Sequence, residues 1–280
     1  MSEQRGREVY RALQALARTD FGGNTGALLV VYAVEGFLRR LAASPYAANM
    51  TLKGGMLIAA TFAHRMTKDA DLATVGVANE DAAIVSVVTE IIAVALDDGL
   101  VFDETTIRTA LMREDADYHG VRVKLEALLS TARITTTLDF SFGDPHRSVV
   151  IELPELLGTG SIRLASYPPE LTLAEKIATM MSRRELYTRD RDFADVWVMS
   201  RSLNISALSL RAAIDDVAAH RHHDVVPLAE ALANMPDRQV PYSAMLRRLA
   251  YQRLPPRRGL TCSPTSASSS TPCWLMSAGS

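Results

Sequence analysis

Apolar and polar residues recur with two different periods along this chain, and the dominant period changes part-way. Residues 3–18 place Val9, Leu13, Leu16 and Ala17 on one face at helical spacing. Gly22, Gly23 and Asn24 break that run, and a second helix is predicted over 25–42, with Leu28, Leu29, Tyr32, Phe37, Leu38 and Leu41 to bury. Ser44-Pro45 ends it. A third apolar run of helical character covers 56–63, and a strand is expected from 69 to about 77. Asn79-Glu80-Asp81 opens a helix reaching about residue 97, with acids in the first turn where the helix dipole favours them. Strand-like segments follow at 100–103 and 105–112.

The period then becomes two. Val121, Val123, Leu125 and Ala127 alternate with Arg122, Lys124 and Glu126, a strand with one buried face. The stretch ARITTTLDFSF returns as a second strand, with Ile134, Thr136, Leu138 and Phe140 on one face and Thr135, Thr137 and Asp139 on the other. Short strands are expected at 148–153 and 161–166. After Pro168-Pro169 the pattern is helical throughout, over 170–184, 190–201, 206–219, 225–234 and 242–253. The chain thus divides into 1–168, which mixes strands and helices behind two leading helices, and 169–254, which is all helix. Residues 255–280 are dominated by Ser, Thr and Pro with no charge beyond Arg258, and read as a disordered tail.

Composition narrows the compartment. No apolar run reaches the roughly 18 residues of a membrane span, and the opening MSEQRGREVY is unlike a secretory signal. Both cysteines, Cys262 and Cys273, lie in the tail, so the body holds no disulfide or cysteine-based zinc site. A cytoplasmic protein is expected, with no membrane partner. The net charge of −2 gives no global signature for nucleic acid. Basic residues are nevertheless grouped, at Arg183, Arg184, Arg189 and Arg191 and again at Arg247, Arg248, Arg253, Arg257 and Arg258. Such a face either holds a phosphate backbone or is a solvated helix surface.

Candidate chemistry concentrates at 51–72, TLKGGMLIAATFAHRMTKDADL. Gly54-Gly55 precedes the apolar helix, and without Cβ atoms its backbone can approach a triphosphate closely. The amides opening the helix add a positive dipole end. Asp69 and Asp71 are i and i+2 on a strand, so both carboxylates face one side. That suits hard cations such as Mg²⁺, which take oxygen ligands and leave room for phosphate. Asp139 either completes an acidic trio with them or is a strand-end aspartate in solvent.

A second group lies in the helical half. Lys176 sits among Leu173, Ile177 and Met180, where its head either meets an anion or snorkels to solvent. Asp192 and Asp195, at i and i+3, share a helix face and are available to pair with it.

Together these motifs resemble the AbiEii/AbiGii family of nucleotidyltransferase toxins, Men-type toxins included. The resemblance runs from about Leu52 to Trp197 through LKGGML, RMTKDADL, LDFSFGDP, LAEKIATMMSRR and RDRDFADVW. It implies an α+β (α/β), bi-lobed fold: a nucleotidyltransferase lobe with a mixed β-sheet, and a C-terminal helical lobe. It implies transfer of NMP from an NTP, in Men-type members to the 3′ end of tRNA, and a cognate antitoxin as partner. Carried over, Asp69, Asp71, Lys176 and Asp192 are catalytic. Gly54, Gly55, Arg65 and Lys176 bind the nucleotide, and Asp69, Asp71 and Asp139 bind Mg²⁺. Thr67, two residues before Asp69, corresponds to a position phosphorylated in some Men-type toxins. The sequence departs from the family at Met56, where Ser or Thr is usual, and at Arg191, where Lys is usual. Two alternatives stand beside this reading: a transferase acting on a protein or small molecule, and a non-catalytic relative that binds nucleotide or RNA.

Overall fold

β-Branched and aromatic residues at alternate positions draw the middle of the chain into a long antiparallel hairpin, and the rest of the first unit is assembled on it. The computed structural model describes residues 3–62, 67–115, 118–143, 147–158, 160–202 and 204–250. Within them the chain forms two compact units, Met1–Tyr167 and Pro168–Arg248.

The first unit runs α1 (Glu3–Asp20), α2 (Thr25–Ala42), β1 (Met50–Lys53), α3 (Gly54–Phe62), β2 (Asp69–Thr74), α4 (Asp81–Ile92) and then β3 (Leu100–Asp115), β4 (Tyr118–Leu129), β5 (Ala132–Phe142), β6 (Val149–Pro154) and β7 (Ser161–Ser166). The seven strands form one mixed sheet in the order β3-β4-β5-β2-β1-β7-β6. β2 pairs with β5, and β1 with β7, in parallel; the other pairings are antiparallel.

The sheet has a strongly apolar face. Leu52, Leu72, Phe140 and Val121 lie in one cross-strand row over β1, β2, β5 and β4, and all four are buried. α1 and α2 pack on Leu100, Ala127, Leu129 and Ile134 through Leu13, Phe21, Leu28 and Tyr32. The turn between these helices needs its glycines: Gly22 and Gly23 both take positive φ, and the Asn24 side chain then caps α2 by accepting from the Ala27 amide at 3.1 Å. α2 also carries buried charge. Arg40 donates to both Asp98 oxygens at 2.6 and 3.1 Å, and Glu35 accepts from the Leu156 amide at 2.9 Å.

In the second unit, α5 (Pro169–Arg183) packs against α6 (Asp190–Ser202), α7 (Ala207–His220) and α8 (Leu228–Ala231), and α9 (Gln239–Ala250) follows. The apolar stripe of α5, including Leu171, Leu173, Ala174 and Met180, is buried.

The α+β class and mixed sheet agree with the sequence reading, and several local boundaries do not. The two segments expected at 100–103 and 105–112 are one strand, with a register shift between Asp103 and Arg108 where Thr106 turns its hydroxyl to the Asp103 carbonyl. The helix expected to reach 97 ends at Ile92, because Asp98 is drawn to Arg40 and Gly99 adopts φ +74°. The helix expected over 225–234 shrinks to the single turn Leu228–Ala231. Strand β1 had no periodic signal, being four residues buried throughout. Arg65 and the 255–280 tail lie outside the described residues. Among those described, no helix is long and apolar enough to cross a membrane.

Candidate active site

Strand register places four charges side by side. Lys53, the last residue of β1, is the cross-strand partner of Asp71 on β2. Asp71 in turn faces Asp139 on β5, and Asp139 faces Arg122 on β4. Residues directly opposite each other share a sheet face, so this row reads plus, minus, minus, plus across four strands. It lies one residue along from the buried Leu52–Leu72–Phe140–Val121 row, on the opposite face of the pleat.

The carboxylates are crowded. Burial, with the charge of nearby Asp69, pushes Asp71 from an ordinary 3.8 to about 7, and Lys53 only partly offsets this. Lys53 is itself buried, its ammonium 5.6 Å from the centre of the Tyr167 ring. Asp139 is engaged by Arg122, which donates to both its oxygens at 2.7 Å. Asp69 accepts a hydrogen bond from the hydroxyl of Thr67, which is itself buried.

The glycine pair serves Asp71 directly. Gly54 has φ +66°, and a Cβ there would lie 1.9 Å from an Asp71 carboxylate oxygen. The Gly55 amide donates to that same oxygen at 3.3 Å. Gly54 therefore leaves room for the aspartate, a role that sequence reasoning had given to an approaching triphosphate. Met56 is buried at 5% exposure.

In the second unit a separate cluster forms around Lys176. Its ammonium lies 2.5 Å from Asp192 and 2.9 Å from Asp195. Burial opposes its charge, but Asp195 and Asp192 outweigh burial and hold its pKa above the ordinary lysine value. The lysine head is thus in an ion pair and does not snorkel to solvent. Tyr187 donates its hydroxyl to the other Asp192 oxygen and meets Phe193 edge-on at 5.6 Å. Burial and the Asp192 charge raise the Tyr187 pKa well above the tyrosine range. Arg183, Arg184, Arg189 and Arg191 are all exposed around this turn, and none joins an ion pair among the described residues. Asp190 is neutralised by Arg238, which donates to both its oxygens at 2.6 and 2.8 Å.

Among the described residues no three acidic, His or Cys groups gather closely enough to hold a metal ion. Asp139 stands in register with Asp71, but its oxygens are turned to Arg122. The Asp69–Asp71 pair does fit a divalent cation: both donors are carboxylates, and Asp71 is short of compensating charge. Lys53, Arg122 and Tyr187 escaped the sequence reading. Lys53 alone gave a signal, as the one charge in the run MTLKGGMLIAA.

A mixed sheet that sets an Asp-x-Asp strand against a glycine pair opening a helix is the arrangement expected of a nucleotidyltransferase. The chain belongs to the AbiEii family: the family model, Nucleotidyl transferase AbiEii toxin, Type IV TA system, matches residues 36–262. No curated protein matches it in sequence. Among solved structures it is similar to JHP933 from Helicobacter pylori, at 16% identity and TM-score 0.46, over 80% of this chain and 93% of that one. It is also similar to an antigenic nucleotidyltransferase-like protein from Paracoccidioides brasiliensis, at 15% identity and TM-score 0.40, over 72% and 93%. A third similarity is to the antibiotic-resistance factor ANT(2'')-Ia, at 15% identity and TM-score 0.38, over 79% and 100%. These likenesses are distant, and the assignment rests on the family match.

Proposed function

We propose that this protein is a Mg²⁺-dependent toxin that transfers NMP from an NTP to the 3′ end of tRNA, blocking translation and growth. The observation that carries the reading is the Asp69–Asp71 pair, two carboxylates on one strand face with Asp71 under-compensated at about 7. Asp69 and Asp71 would hold Mg²⁺, which when bound neutralises the triphosphate and favours ionisation of the attacking hydroxyl. The acceptor hydroxyl would form a new bond to the α-phosphorus and give up its proton to solvent, and the bond to the leaving pyrophosphate would break. Gly54 and Gly55 fix the position of Asp71, and Lys176, held by Asp192 and Asp195, is assigned to the nucleotide by the family resemblance. Arg65 is assigned to a phosphate by the family resemblance.

An RNA acceptor is supported by the exposed arginines at 183, 184, 189 and 191. Four guanidinium groups within nine residues match a phosphate backbone, and of the two acids among them, Glu185 and Asp190, the second is already neutralised by Arg238. Membership of a type IV toxin–antitoxin family supports a cognate antitoxin as partner, and both are assigned to the cytoplasm as part of this reading.

The test is to incubate the protein with each α-labelled NTP, Mg²⁺ and total tRNA, then resolve the products on a denaturing gel. Label entering tRNA, and lost in Asp71→Ala, is the expected result. Label entering protein or a small molecule moves the acceptor elsewhere. No transfer to any acceptor, with nucleotide still bound, leaves a binding protein.

Thr67 is the proposed control point. Its hydroxyl is hydrogen-bonded to Asp69, so a phosphoryl group there would bring about −1.5 to −2 charge beside the acidic pair. Thr67→Glu is expected to lose most transfer activity. Full activity in that variant would remove Thr67 as a switch.

A further inference from the structure

Arg122 and Asp139 form an ion pair at one end of the acidic row. Both N–H···O distances are 2.7 Å, yet the two side chains differ in access: Arg122 is 42% exposed and Asp139 8%. The Arg40–Asp98 pair makes a useful contrast. There both side chains are buried, at 3% and 8%, and the bond has no access to an exchanging ligand. Arg122 reaches its partner from the solvent side and is free to leave by the same route.

We propose that Arg122 is a positioning residue that keeps Asp139 from cations until nucleotide arrives, and whose released guanidinium then takes a phosphate oxygen of that nucleotide. This rests on the reading of Asp69 and Asp71 as a cation site for an NTP. Asp139 stands beside Asp71 in register, so a cation held by Asp69 and Asp71 has a third carboxylate next to it. Both oxygens of that carboxylate are occupied by the guanidinium. Removing Arg122 without replacement would leave buried Asp139 unpaired beside Asp71, whose charge Lys53 only partly offsets, which is costly. Departure of Arg122 and arrival of a cation are therefore coupled.

The freed side chain has a destination. Guanidinium matches phosphate with the same two-pronged geometry it uses for carboxylate. The nucleotide triphosphate brings both the cation that replaces Arg122 at Asp139 and the anion that receives Arg122. Cation and nucleotide then bind cooperatively, and a bare cation meets a partly blocked site. Lys53 at the other end of the row lacks this freedom, because it is buried at 7% exposure.

The experiment measures Mn²⁺ binding to the full chain by electron paramagnetic resonance, without nucleotide. Wild type, Arg122→Ala, Arg122→Lys and Asp71→Asn are compared, each first checked by thermal melting. Arg122→Ala is expected to bind Mn²⁺ about five- to tenfold more tightly than wild type, with Arg122→Lys between them. In an Asp139→Asn background the gain should vanish. A second titration uses mant-labelled forms of the four NTPs at saturating Mn²⁺, where Arg122→Ala should bind the preferred one several-fold more weakly.

Mn²⁺ affinity in Arg122→Ala that equals or falls below wild type overturns the proposal, provided that Asp71→Asn abolishes binding. Unchanged nucleotide affinity overturns its second half. Absence of Mn²⁺ uptake by wild type and by Arg122→Ala alike, with nucleotide present as well as without it, overturns the cation reading too, so the two failures are distinguishable.

Discussion

Asp71→Asn is expected to abolish nucleotide transfer and, in metal-free buffer at pH 8, to make the protein more stable. The two effects have one cause. Asp71 is pushed to about 7 by burial and by Asp69, so its charged form is a burden in the folded state. A group whose folded pKa is raised above its unfolded value binds a proton more tightly when folded. For a carboxylate, stability therefore falls as pH rises from about 4 to about 7, and the penalty is complete above that. Asparagine carries no such charge and still accepts a hydrogen bond from the Gly55 amide. Above pH 7 the gain is roughly 1–3 kcal/mol, given about 1.4 kcal/mol per pKa unit and some relaxation of the site. That corresponds to a rise in Tm of roughly 3–10 °C for a chain of this size. At pH 4 the two proteins should melt together. Adding Mg²⁺ should raise the wild-type Tm and leave the variant's unchanged, while transfer falls by about 10³-fold or more. Melting curves at pH 4 and pH 8, with EDTA or Mg²⁺, test all of this. Identical curves at both pH values would show that Asp71 is not under electrostatic strain.

The second large effect is at Lys176. Its ammonium is shared between Asp192 and Asp195, and Asp195 has no exposed surface. Lys176→Met leaves two buried carboxylates facing a thioether. Breaking a buried pair from one side costs roughly 3–5 kcal/mol, enough to lower Tm by about 10 °C. Raised carboxylate pKa values should also make the variant relatively more stable at pH 5 than at pH 8, since protonation relieves the repulsion. Combining Lys176→Met with Asp195→Asn removes one of the stranded charges, and Asp192 keeps the Tyr187 hydroxyl. Most of the lost stability should return, and transfer should not. If the double variant recovers transfer along with Tm, Lys176 is a structural ion-pair partner and has no part in the chemistry.

Local pattern made much of this molecule legible. The alternation at Val121, Val123, Leu125 and Ala127 picked out the buried face of β4, all four side chains being at most 1% exposed. The same logic set Asp139 opposite the apolar face of β5. Asp69 and Asp71 stood out because two acids at strand spacing beside a glycine pair is an unusual combination. Register was the illegible part. Lys53 meets Asp71 because two strands separated by α3 align to within one residue, which no local window encodes. Arg122 meets Asp139 across a hairpin whose two-residue turn, Ser130-Thr131, fixes the register, so that pairing follows only once the turn is placed. Arg122 looked like any polar residue on the outer side of a half-buried strand. The contact of Gly54 with Asp71 was hidden for a related reason: that side chain is seventeen positions away, and only the folded strand pair brings it over the glycine. Tyr187 was missed because a lone tyrosine in an arginine-rich turn gives no periodic signal.

The adjacency of two cross-strand rows has a consequence for how this protein fails. Leu52, Leu72, Phe140 and Val121 form one row, and Lys53, Asp71, Asp139 and Arg122 form the next. A slip of one residue between any two strands drives a charge into the apolar interior and turns a core side chain outward. Errors of alignment are therefore penalised by folding itself. A molecule whose apolar row is packed has its acidic row assembled by the same alignment.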